Sequence, residues 1–155
     1  MADLYITTEG VKEKQERLRY LKNEKRPEVL ERLKTAREFG DLSENSEYDA
    51  ARNEQGRIET EIQLIEDTLR LAKVVDPKKV SKDIAGIGTV VKLYDEEWDE
   101  EVEYKIVGTI ESDPDRGYIS NESPIGKSLI GKKVGDIVTI STPGGDNVLK
   151  VLSIS

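Results

Sequence analysis

Residues 48–72 read YDAARNEQGRIETEIQLIEDTLRLA, and this stretch decides the fold. Tyr48, Ala51, Gln55, Ile58, Ile62, Ile65, Leu69 and Ala72 recur in steps of three and four. That spacing puts all eight on one stripe of an α-helix and reads as a heptad seam. Four isoleucines and leucines in such a seam need an apolar partner. The chain supplies one upstream. Residues 9–39 read as a helix capped at Thr8, with Val11, Leu18, Leu21, Leu30, Leu33 and Ala36 as its stripe. Lys14 and Lys25 interrupt that stripe, and Pro27 lies inside it, where a missing N–H should bend the helix. Gly40 supplies a stop. The second pattern spans 44–75, and a short break between two helices makes them antiparallel neighbours. At about 1.5 Å per residue the hairpin would run roughly 45 Å.

The joint between the helices is strongly acidic. From Glu38 to Asp49 the chain holds five carboxylates and no basic residue. Asp41-Leu42-Ser43-Glu44 has capping-box spacing, with Asp41 as N-cap and Glu44 at the third helical position. The same two carboxylates could share a hard cation such as Mg²⁺, which needs only one or two protein carboxylates beside phosphate and water. Alone they would hold it weakly. Arg37 and Arg52 flank this joint, one on each helix. They are either surface ion pairs, with Glu38 and Glu54 nearby, or a cradle for a polyanion.

Beyond Asp76-Pro77 the pattern changes. Residues 1–76 form the hairpin, 77–84 a linker and 85–155 a second domain. Its β-type runs are Gly88–Tyr94, Glu101–Val107, Tyr118–Ser120, Asp136–Ser141 and Val148–Ile154. Trp98 and its acidic neighbours read as a hairpin loop. Ser123 to Ile130 reads as a turn or two of helix, and Pro143-Gly144-Gly145-Asp146 as a turn. The fold class is therefore α+β. Gly126-Lys127-Ser128 lacks the upstream glycine of a phosphate loop, because position 121 is Asn. Gly86-Ile87-Gly88 precedes no helix and is no dinucleotide fingerprint.

Composition narrows the chemistry. The 155 residues contain no Cys and no His, which removes thiol, zinc and imidazole catalysis. The net charge is −8, with 14 basic and 18 acidic residues before Pro77 and 10 and 14 from there on. No surface of that kind binds nucleic acid by charge alone. No apolar run reaches membrane-spanning length, and no secretory signal precedes Val11. These features are those expected of a cytoplasmic protein with no membrane partner.

The run from Arg37 to Arg52 closely resembles the tip of the bacterial Gre transcript cleavage and elongation factors. Residues 20–28, with their internal Arg26-Pro27, resemble the family's first helix. Ser123 to Lys132 and Thr142-Pro143-Gly144-Gly145 resemble its C-terminal signatures. The resemblance covers nearly the whole chain and is nearer the GreA branch than the GreB branch. It implies an N-terminal antiparallel coiled-coil hairpin and a C-terminal β-rich, FK506-binding-protein-like domain. It implies a transcription elongation factor, not itself an enzyme. Such a factor binds core RNA polymerase through the C-terminal domain and inserts the hairpin into the secondary channel. There it stimulates the polymerase's own cleavage of the 3′ end of backtracked nascent RNA. On this resemblance Asp41 and Glu44 help hold a Mg²⁺ shared with the polymerase active site, only when docked, and orient the attacking water. Arg37 and Arg52 steady the RNA. The free protein would bind no metal stably and act as a monomer. Ser43, Ser46 and Asp49 stand where relatives can carry Lys, Ala or His, which lowers the positive charge brought to RNA. The alternative is an inhibitor of the same shape that binds polymerase without supporting cleavage. The C-terminal domain is not expected to be a prolyl isomerase, since such a pocket is aromatic and Phe39 is the only Phe.

Overall fold

The computed structural model describes residues 3–38 and 46–155. The chain divides into a helical unit, Val11–Leu71, and a β-rich unit, Met1–Gly10 with Ala72–Ser155. The sequence drew the first boundary at residue 76 and gave the N-terminal residues to the hairpin. The contacts instead group Met1–Gly10 with the β-rich unit.

In the helical unit, α1 (Thr8–Tyr20) runs through a π-helical turn, Leu21–Lys25, into α2 (Arg26–Glu38). A single helix, α3 (Ser46–Leu71), packs against them. The pairing is antiparallel: Arg17 bonds Glu61, Arg26 bonds Glu59 and Arg32 bonds Glu54, so partner numbers fall as the first number rises. The α3 seam is as its spacing demands. Ala51, Ile58, Ile62 and Ile65 are buried, with Tyr48 and Leu69 packed against them.

The first helix departs from its predicted stripe. Val29 is buried at 1% exposure, whereas Leu30 is 48% exposed. The cause is Pro27. In an α-helix its missing N–H would orphan the Asn23 carbonyl and its ring would crowd that oxygen. The chain widens instead, and the Arg26 N–H bonds the Leu21 carbonyl five residues back. Leu21 and Val29 are eight residues apart, about 0.8 residue more than two α turns. The wider turn absorbs that excess, which aligns Val29 with Leu21 and turns Leu30 outward.

The N-cap lies one residue earlier than predicted. The Gly10 N–H donates to Thr7 Oγ1 at 3.2 Å, so Thr7 rather than Thr8 caps α1. Thr7 ends strand β1 (Tyr5–Thr7), which pairs in parallel with β2 (Lys73–Val75). Glu111, on a 3₁₀ turn, accepts the Thr7 N–H and, at 2.6 Å, its hydroxyl. An added Cβ at Gly10 would lie 2.5 Å from the Glu111 carboxyl carbon, so only glycine admits this clasp.

The main sheet has the order β5-β4-β3-β7-β6. Its strands are β3 (Val90–Asp95), β4 (Glu100–Val107), β5 (Tyr118–Ser120), β6 (Ile137–Thr142) and β7 (Gly145–Ile154). All neighbours are antiparallel except β4 and β5. A short helix, α4 (Pro124–Leu129), packs beside β5 and β6. One face of the sheet carries the core: Val91, Leu93, Ile106, Val138, Leu149 and Val151, closed by Leu129 of α4 and by Ala85. The five predicted runs are the five strands, shifted by a few residues at their ends. Residues 77–84 carry no helix or strand.

Candidate functional site

Arg37 and Arg52 meet on one groove of the helical unit. It is lined by Leu30, Leu33, Lys34, Arg37 and Glu38 of α2 and by Arg52 and Gln55 of α3. Antiparallel packing explains the meeting. Arg37 lies in the last turn of α2 and Arg52 in the second turn of α3, so the two ends lie side by side. The Arg37 guanidinium stacks over the Tyr48 ring, 5.8 Å from its centroid. Arg52 donates to Gln55 Oε1 at 3.2 Å.

The ion pairs that could have absorbed these arginines go elsewhere. Glu54 bonds Arg32 and lies 3.7 Å from Lys25, and its carboxyl is held below the ordinary glutamate range chiefly by Arg32. Neither Arg37 nor Arg52 pairs with a carboxylate among the described residues. Lys34, also exposed, adds a third cation to the groove. Reading the sequence for residues flanking the acidic joint overlooked it, though it sits one turn before Arg37. Three cations against one carboxylate, Glu38, with exposed apolar Leu30 beside them, suit a phosphate-bearing ligand with an organic body.

Asp41 and Glu44, together with the predicted capping box and the stop at Gly40, fall within 39–45, outside the described residues. Their donor chemistry suits Mg²⁺: two carboxylates and no nitrogen or sulfur ligand. Among the described residues, no group of three or more acidic side chains could hold a metal ion.

The β-rich unit has a groove of its own, about 550 Å³, walled by Tyr104, Tyr118, Ile119, Pro124, Ile125 and Ile140. Its lining is mostly apolar, the usual character of a surface that receives a partner's side chain. Sequence reading missed it because its two tyrosines lie on different strands. Of the three large apolar residues within Ser123 to Ile130, Leu129 is fully buried, Ile125 packs against the core and Ile130 is exposed. Gly126 of the spurious phosphate-loop match has a packing role: an added Cβ would sit 1.9 Å from the Ser120 carbonyl oxygen. Ser123 Oγ caps α4 by accepting the Gly126 N–H at 3.1 Å. No described helix is long and apolar enough to cross a membrane.

A helical hairpin with a cationic groove near its reversal, and a separate β-rich unit with an apolar groove, define a two-part binding protein. The transcription elongation factor N-terminal model matches residues 4–74, and the GreA/GreB C-terminal model matches residues 80–155. The chain belongs to the GreA/GreB family of transcription elongation factors. It is 55% identical over 149 residues to transcription elongation factor GreA of Thermoanaerobacter pseudethanolicus, spanning 96% of this chain and 95% of the relative. It is 52% identical over 150 residues to GreA of Clostridium botulinum, spanning 97% and 94%. Among solved structures it is similar to GreA factor homolog 1 of Thermus thermophilus, at 30% identity over 99% of each chain with a TM-score of 0.46.

Proposed function

We propose that this chain is a transcription elongation factor of the GreA kind. It enters the secondary channel of core RNA polymerase and stimulates the polymerase's own cleavage of the 3′ end of backtracked nascent RNA, which releases arrested complexes. The observation that carries the reading is the meeting of Arg37 and Arg52 on one groove, immediately beside the segment that holds Asp41 and Glu44. The near full-length similarity to GreA relatives supports it.

In this reading the chain contributes residues and the polymerase contributes the active site. Asp41 and Glu44 would hold a Mg²⁺ shared with the polymerase, and that ion would supply charge stabilisation to the phosphodiester under attack. The Asp41 and Glu44 carboxylates also accept hydrogen bonds from the attacking water and orient it. Arg37 and Arg52 grip phosphate oxygens of the extruded RNA and keep the scissile bond in reach of those carboxylates. The chain would work in the cytoplasm, as a monomer, and only while docked.

The test is a stalled, backtracked elongation complex given Mg²⁺ with and without this protein. RNA shortening should accelerate with it. Asp41→Ala and Glu44→Ala should each abolish the stimulation while leaving polymerase binding largely intact. Binding without any shortening by the unaltered chain would turn the reading into that of a channel-blocking inhibitor.

A further inference from the structure

The outer face of the β-rich unit carries a second surface, built around the β3–β4 hairpin. Its loop, residues 96–99, is held in place from below. The Asp95 carboxylate accepts the N–H groups of Glu97 and Trp98 at 3.0 and 3.3 Å. The Tyr94 hydroxyl donates to Asp99, which sits at φ 50. A fixed loop presents Trp98 at 67% exposure. Leaving the largest apolar side chain of the unit in water is costly unless something covers it.

The neighbours of Trp98 say what that something is. Glu96, Glu97 and Asp146 line a groove with Ile137, Val148 and the single lysine Lys150, and Ile137 and Val148 are both more than half exposed. Strand register explains the aliphatic floor: Ile137 pairs with Lys150 and Val148 with Thr139, so both point away from the core face. Among the described residues Glu96, Glu97 and Glu100 make no ion pair, and with three carboxylates against Lys150 alone the groove is net negative. Apolar floor, aromatic post and unpaired carboxylate rim are complementary to one chemistry. That is a protein segment rich in Lys or Arg that also carries large apolar side chains. The net negative rim disfavours phosphate-bearing ligands.

We infer that Trp98, Ile137 and Val148 form a docking surface for a basic, apolar-anchored segment of core RNA polymerase. The surface is separate from the arginine groove of the hairpin and from the tyrosine-walled groove. The partner rests on the function proposed above; the surface and its chemistry do not. An exposed aromatic anchor closed over by a partner is the usual centre of binding energy.

The experiment measures binding of the full chain to core polymerase by fluorescence anisotropy of a label on the hairpin. Trp98→Ala should weaken binding by about ten-fold or more. Glu96→Gln with Glu97→Gln should weaken it less and flatten its salt dependence. Ile137→Ser, in a residue whose side chain is exposed, gives an independent variant if Trp98→Ala lowers the melting temperature. Unchanged affinity and salt dependence in all three variants, with the parent chain binding normally, overturns the surface alone. A parent chain that does not bind polymerase sinks both the surface's partner and the proposed function. Concentration-dependent self-association of the parent chain, lost in Trp98→Ala, overturns the inference in favour of a second copy as occupant.

Discussion

A single arginine can be read two ways until its neighbours are known. Arg52 lies two residues before Glu54, and sequence alone allows a surface ion pair. The structure gives Glu54 to Arg32 and Lys25, which leaves Arg52 facing the groove shared with Arg37. In the proposed function each guanidinium would offer one charge-assisted grip on phosphate, worth about a ten-fold factor. Arg37→Ala and Arg52→Ala should therefore each lower stimulated RNA cleavage by about ten-fold, measured in stalled complexes, with polymerase affinity little changed. Loss of polymerase binding instead would reassign them to the protein interface. Gly126 makes a different kind of prediction. A Cβ there would meet the Ser120 backbone oxygen at 1.9 Å, and a backbone atom cannot swing aside as the end of a side chain can. Gly126→Ala should cost about 3 kcal/mol, read as a lowered denaturant midpoint. The candidate arginines were legible because they bracket a distinctive acidic run. Glu111 was not, because its partner Thr7 lies 104 residues away and no local pattern joins them.

Elements follow from patterns long enough to repeat. The α3 seam was readable because three and four residue steps recur over most of its 26 residues. Four of the five main strands are six to ten residues long and were readable at period two, and the three-residue β5 was set off by the turn residues Gly117 and Asn121. β1 and β2, of three residues each, hold no period and adjoin the long helical patterns of α1 and α3. The first helix shows how one residue changes the rule. Pro27 imposes a wide turn, and the extra residue in that turn moves Val29 inward and Leu30 outward. Val29→Ala should cost about 2 kcal/mol through the cavity it leaves. Leu30→Ala, one position on, should change stability by less than about 0.5 kcal/mol. Equal effects in thermal melts would mean that the helix runs straight through Pro27. The helix pair also carries a row of ion pairs whose titration has a definite sign. Arg32, Arg26 and Arg17 hold Glu54, Glu59 and Glu61 below the ordinary glutamate range. Depressed folded-state values mean stability that is present above the unfolded range and lost as the carboxylates protonate. Melting temperature of the full chain should fall as pH drops from about 5 toward 2, and high salt should shrink the difference. The pairs are exposed, so a shift of a few degrees is the expected size.

At the scale of the whole molecule the charge balance decides where the chemistry can happen. The chain carries −8 overall, yet its proposed substrate is a polyanion. Arg37, Lys34 and Arg52 form a local exception, too few to neutralise the phosphates that tight RNA binding requires. Asp41 and Glu44, as the proposed metal ligands, face the same arithmetic: two carboxylates would leave most of a Mg²⁺ shell to water, so affinity without a partner should be low. Both weaknesses become assets if the missing cations and ligands reside in the polymerase. In the proposed function docking would raise the local concentration of each group, and the factor would release RNA and metal when it leaves. The free chain titrated with labelled single-stranded RNA should show no saturable binding at physiological salt. Mg²⁺ added to the free chain should not raise its melting temperature beyond what equal ionic strength does. Tight RNA binding by the isolated chain, or a melting rise specific to Mg²⁺, would place a complete site on this protein and remove the need for a shared one.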